Sequence, residues 1–89
     1  MLQEIKTSMR MTQNALDSEI TNNIEMCKKD LEMGDVYCDD SEYLMRKACE
    51  LYVKWQFDYQ GKGEQFESAY RKLKDAMALC GDYNVRPAD

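Results

Sequence analysis

Histidine is absent from all 89 residues, so no side chain here exchanges protons near neutrality at its ordinary pKa. The absence also removes the imidazole half of any mixed zinc site. Proline occurs once and glycine four times, too few to punctuate a chain of many short strands and turns. No segment alternates apolar and polar residues over a strand's length, so no strand is expected. No run approaches the ~20 apolar residues needed to cross a bilayer. Glu4, Lys6 and Arg10 interrupt the start before a signal-peptide core forms, and the expectation is a soluble, intracellular protein. Gly61-Lys62-Gly63 lacks the spacing and the following Ser/Thr of a phosphate-binding loop.

The remaining chemistry is equally sparse. Cys27, Cys38, Cys49 and Cys80 form no C-x-x-C pair, and three of them fall inside helical patterns, where free cysteine behaves as a small buried hydrophobe. Reduced core thiols are the expectation, with a disulfide scaffold as the alternative. Asp39, Asp40 and Glu42 do not match a calcium loop, whose sixth-position glycine and closing glutamate are missing, and read as helix-capping acids. Asp17 and Glu19, two residues apart, point to different sides of a helix and cannot share acid–base work. No catalytic residue, cofactor site or metal site is expected, and hence no enzyme.

What the chain does have is helical pattern. It is 44% hydrophobic and 33% charged, a balance that favours long helices with solvated outer faces. Leu2, Ile5 and Met9 recur at helical spacing over residues 2–10, with Lys6 and Arg10 on another side. Asn14 is positioned to cap a second helix running to about Met33, whose stripe is Leu16, Ile20, Ile24, Cys27 and Leu31. Gly34 is placed to end it in the left-handed conformation. Asp39 and Glu42 have capping-box spacing ahead of a third helix over about 40–60. Its stripe of Leu44, Ala48, Leu51, Trp55 and Tyr59 is widened by Met45, Cys49, Tyr52 and Gln56, which makes it the central helix. Gly61 and Gly63 mark a turn. A fourth helix over about 64–80 carries Phe66, Tyr70, Leu73, Met77 and Cys80, with Ala69 and Ala76 beside them. The expected architecture is all-α, a compact bundle of three main helices plus a short N-terminal helix. Residues 1–81 form a single domain and residues 82–89 an extended tail.

The net charge is -5 and is unevenly spread. Residues 11–45 hold two basic residues against nine acidic, whereas residues 46–86 hold eight basic against six acidic. Two solvated faces of opposite bias, or head-to-tail packing of an acidic side on a less acidic one, both fit this pattern. An acidic chain repels phosphate backbones. Trp55 and the tyrosines at 43, 52, 59 and 70 could form a base-stacking platform, but helical spacing and the lack of a basic groove favour core or subunit contact. Met26 and Met33 lie off the main stripe of the second helix. Flexible apolar side chains there suit an adaptable protein contact, although single exposed apolar residues are also ordinary.

The order of these pieces resembles the small head–tail connector (DNA-packaging) proteins of tailed bacteriophages. The similarity begins in Leu2-x-x-Ile5-Lys6-x-x-Met9-Arg10-Met11-Thr12 followed by Leu16-Asp17-x-Glu19-Ile20. It continues through Asp30-Leu31, Gly34-Asp35-Val36 and a long helix ending in Tyr52, Trp55, Phe57 and Tyr59. Phe66-Glu67-x-x-Tyr70-x-x-Leu73-Lys74 and Cys80-Gly81-Asp82-Tyr83 complete it, over about residues 1–85. The four cysteines and several polar residues on the second helix depart from the family pattern. The resemblance implies a non-enzymatic helical subunit of a phage or prophage, assembled in the bacterial host cytoplasm and resident in the virion. It implies a homo-oligomeric ring that docks below the portal protein, extends the DNA channel without binding DNA specifically and meets a tail-side completion protein. It also allows the C-terminal tail to engage neighbours through Tyr83, Val85 and Arg86, which join Met26 and Met33 as candidate contacts. The rival expectation is a small phage DNA-associated or regulatory helical protein, similar to a terminase accessory subunit. For it, Arg71-Lys72-x-Lys74 is the only candidate recognition cluster.

Overall fold

A computed structural model describes residues 1–37 and 42–80 of the chain. Four α-helices follow in order: α1 (Leu2–Ser8), α2 (Asp17–Met33), α3 (Tyr43–Gln56) and α4 (Gly63–Leu79), with a 3₁₀ turn at Tyr59–Gly61 before α4. No strand occurs among the described residues, and none of their helices is long and apolar enough to cross a membrane. The helices share one core, and α3 packs most extensively, against α2 on one flank and α4 on the other.

The core follows the stripes. Ile20, Ile24, Cys27 and Leu31 of α2 are buried, with Leu16 packed at their edge. Each fully buried aliphatic side chain of this kind contributes about 1.5–3 kcal/mol before the entropy of ordering it. On α3 the buried set is Met45, Ala48, Cys49, Leu51, Tyr52 and Val53. At about 100° per residue these span an arc of roughly 200°, the width expected of a helix with neighbours on both flanks. Val53 was not part of the expected stripe, yet it is fully buried because that arc is wider than one stripe. Gln56 falls on the same arc but is the last residue of α3 and is exposed. On α4, Tyr70 and Met77 are buried and Phe66 and Leu73 half-buried, whereas Ala76 is exposed; Cys80, expected as its last residue, is half-buried in extended conformation just past its end.

The helix ends correct several expectations. Asn14 does not cap α2: Leu16 takes that position without a side-chain bond, and the Asn14 amide oxygen accepts from Lys6 Nζ at 2.8 Å. Lys6, expected away from the apolar side of α1, is 3% exposed. Its ammonium also lies 2.7 Å from the Asp17 carboxylate, so a buried cation is matched by a charge and an amide. Gly34 has φ −94; the left-handed residue is Asp35, at φ +60. Asp35 donates its N–H to Glu32 O at 3.0 Å and Val36 donates to Leu31 O at 2.9 Å, the paired bonds of a Schellman ending with its apolar closing contact. Gly34 instead leaves room for Lys74, whose Cε would lie 2.8 Å from a Cβ there. The third helix stops at Gln56, short of residue 60, where Asp58 (φ +48) and Gln60 (φ +56) turn the backbone left-handed. Asp58 Oδ1 then accepts the Gly63 N–H at 2.8 Å and so starts α4. Glu42 precedes α3 in extended conformation and makes no capping side-chain bond; its expected partner Asp39 lies outside the described residues.

Candidate functional site

Three long side chains tie α2 to α4. Tyr70 donates its hydroxyl to Asp30 Oδ2 at 2.6 Å, and Lys74 Nζ donates to the same oxygen at 3.0 Å. The Cys27 thiol lies 3.8 Å from the Tyr70 oxygen. Burial pushes the Asp30 carboxyl up, but the Tyr70 hydroxyl and the Lys74 ammonium together outweigh it and hold it below the usual carboxylate range. Burial, and then the Asp30 carboxylate, push the Tyr70 phenol up. The Cys27 thiol is pushed up first by its hydrogen bond with Cys49 and then by burial. A thiol and a phenol held protonated in this way are poor nucleophiles, and the network is suited to holding helices together.

The aromatic residues pack on one another. The Tyr52 ring meets Trp55 edge-on at 5.4 Å and Tyr70 at 5.3 Å, the T-shaped geometry that ring quadrupoles favour. Arg71 lies 5.5 Å from the centre of the Trp55 ring and pairs with Glu67 at 2.9 Å. Two of the three charges in the candidate recognition cluster are therefore engaged within the molecule, Arg71 with Glu67 and Lys74 with Asp30. Cys27 and Cys49 are buried and Cys80 half-buried, and these three are thiols outside any disulfide; Cys38 lies outside the described residues. Among the described residues, no group of three or more His, Cys, Asp or Glu side chains converges on a point that could hold a metal ion.

Two recesses stand out among the described residues. The first is an open groove of about 410 Å³ lined by Glu25, Met26, Lys29, Asp30 and Met33 of α2 and by Tyr52 of α3. Met26 is 54% exposed and Met33 85%, whereas Met9, Met45 and Met77 are core residues. The structure thus brings the two expected methionine contacts to one surface. The other three expected contacts, Tyr83, Val85 and Arg86, lie outside the described residues.

The second recess is a cleft of about 150 Å³ where α1 meets α3, lined by Met1, Glu4 and Ile5 on one side and Tyr43, Arg46, Lys47 and Glu50 on the other. Its charges are mostly matched. The Met1 ammonium pairs with Glu4 at 3.0 Å, and Glu50 pairs with Lys47 at 3.2 Å and Lys54 at 3.3 Å. Glu50 also accepts the Ser8 hydroxyl. Burial pushes the Glu50 carboxyl up, and Ser8, Lys47 and Lys54 outweigh it, leaving the group more acidic than usual. Arg46 differs: its Nε is buried and has no hydrogen-bond partner. The sequence reading missed this cleft. The signal available was positions 43, 46, 47 and 50, which share the arc of α3 left free by the core. Comparison with protein-family models, with curated proteins and with solved structures finds no match.

Proposed function

We propose that this chain is a structural assembly subunit that works by protein–protein contact, as a head–tail connector of a tailed phage or prophage does. In this reading it forms a homo-oligomeric ring in the virion, below a portal protein and above a tail-side completion protein, and DNA passes its channel without specific binding. The observation that carries the reading is the groove floored by Tyr52 and flanked by the exposed Met26 and Met33. Exposed methionines over an aromatic floor are adaptable apolar surface of the kind that partners cover. The connector-like order of sequence pieces narrows the class of assembly. The DNA-associated alternative draws less support, since Arg71 and Lys74 are already paired with carboxylates.

Light scattering of the purified chain, with negative-stain images of the same fractions, tests the reading. Multimers with ring-shaped particles, and no salt-dependent retention on duplex DNA, are expected. A monomer at every concentration, with DNA affinity that falls steeply as salt rises, overturns it in favour of the DNA-associated alternative.

A further inference from the structure

The groove and the cleft lie on different sides of α3. At about 100° per residue, Tyr52 points roughly 120° away from Arg46, about 140° from Lys47 and about 160–180° from Glu50 and Tyr43. Their charges are opposed. The groove lining has two carboxylates, Glu25 and Asp30, against one ammonium, Lys29. The cleft lining has three cations, the N-terminus, Arg46 and Lys47, against two carboxylates. In the groove, Asp30 is occupied by Tyr70 and Lys74. Glu25 is 64% exposed along its side chain and reaches Lys28 only at 3.8 Å. In the cleft, Arg46 is half-buried and lines the recess, and its solvent-inaccessible Nε has no hydrogen-bond partner. The cleft also has an apolar floor in Ile5 and Met1, and the groove presents an apolar projection in Met33.

We propose that the chain binds a second copy of itself head to tail, the exposed Met26 and Met33 at the groove of one copy packing against the Arg46 cleft of the next and Glu25 pairing with the Arg46 guanidinium. The proposal rests on the assembly reading above and deepens it by naming the partner and the contact. The apolar parts match and the linings are opposite in net charge. Because the two surfaces are different, each copy keeps one of them free after pairing. Such a heterologous contact propagates until its rotation closes a ring.

Sedimentation across a concentration series tests the contact in four proteins: the unaltered chain, Arg46→Glu, Glu25→Arg and the doubly substituted chain. Each single substitution places like charges together and is expected to weaken self-association at least about tenfold. The double substitution is expected to recover most of it, which a merely structural role for Arg46 does not produce. Circular dichroism checks folding. If Arg46→Glu does not fold, Glu25→Arg, on an exposed position, carries the same test, with Met33→Asp as a second disruption expected to act in the same direction. Self-association that is unchanged by the single substitutions overturns this contact and leaves the assembly reading standing. An unaltered chain that stays monomeric throughout overturns both.

Discussion

At the scale of single residues, Tyr70 does more than fill the core. Its hydroxyl is the neutral donor that, with Lys74, stabilises the Asp30 carboxylate. Tyr70→Phe keeps the ring and removes the donor, and is expected to cost about 1–2 kcal/mol in chemical denaturation at pH 7. The folded Asp30 carboxyl is more acidic than the unfolded one. Its contribution is therefore complete above the unfolded pKa, near 4, and is lost as pH falls through the lower folded value. The Tyr70→Phe deficit is accordingly expected to be full at neutrality and to shrink in denaturation curves taken below about pH 4. The same scale shows where sequence reading reaches its limit. Ile20, Ile24, Cys27 and Leu31 were legible because burial follows helical spacing within one segment. Lys6 was not: a lysine is buried only when distant groups meet its charge, and Asn14 and Asp17 belong to the next segment.

At the scale of elements, the helix ends carry the strain. Arg10 and Asp35 both occupy left-handed positions just past a helix, at φ +57 and +60. For a residue with a Cβ this conformation costs roughly 1–2 kcal/mol, partly offset by the extra freedom glycine has in the unfolded chain. Asp35→Gly and Arg10→Gly are each expected to raise stability by about 0.5–1 kcal/mol, read as an increase in Tm. The existence of these helices was legible in their apolar periodicity; the conformation of their last residues was not. Gly34 marked the end of α2 correctly, but its value is the space it gives Lys74, a neighbour 40 residues on. The early stop of α3 likewise depends on Asp58 turning its carboxylate to the Gly63 N–H, a bond that no periodicity encodes.

At the scale of the whole molecule, the four helices make a flattened body with principal extents of 37 × 27 × 18 Å. α1 is the least integrated part, meeting α2 and α3 through a small apolar contact around Ile5 and Met9 and through two polar ties, Lys6 to Asn14 and Asp17 and Ser8 to Glu50. Amides of α1 are therefore expected to exchange with solvent sooner than those of α3 by hydrogen-exchange mass spectrometry; equal protection of the two counts against this picture. The groove was half legible, because Met26 and Met33 sit off the stripe of α2 within a single segment. The cleft was not legible, because it exists only where α1 lies across α3.

Trp55 gives this arrangement a practical consequence. The chain's only indole rests edge to face against Tyr52, the same ring that floors the groove. Whatever settles over Met26 and Met33 covers that tyrosine and alters the polarity around the indole beside it. The molecule thus carries its own optical gauge of occupancy, one ring away from the surface it reports on.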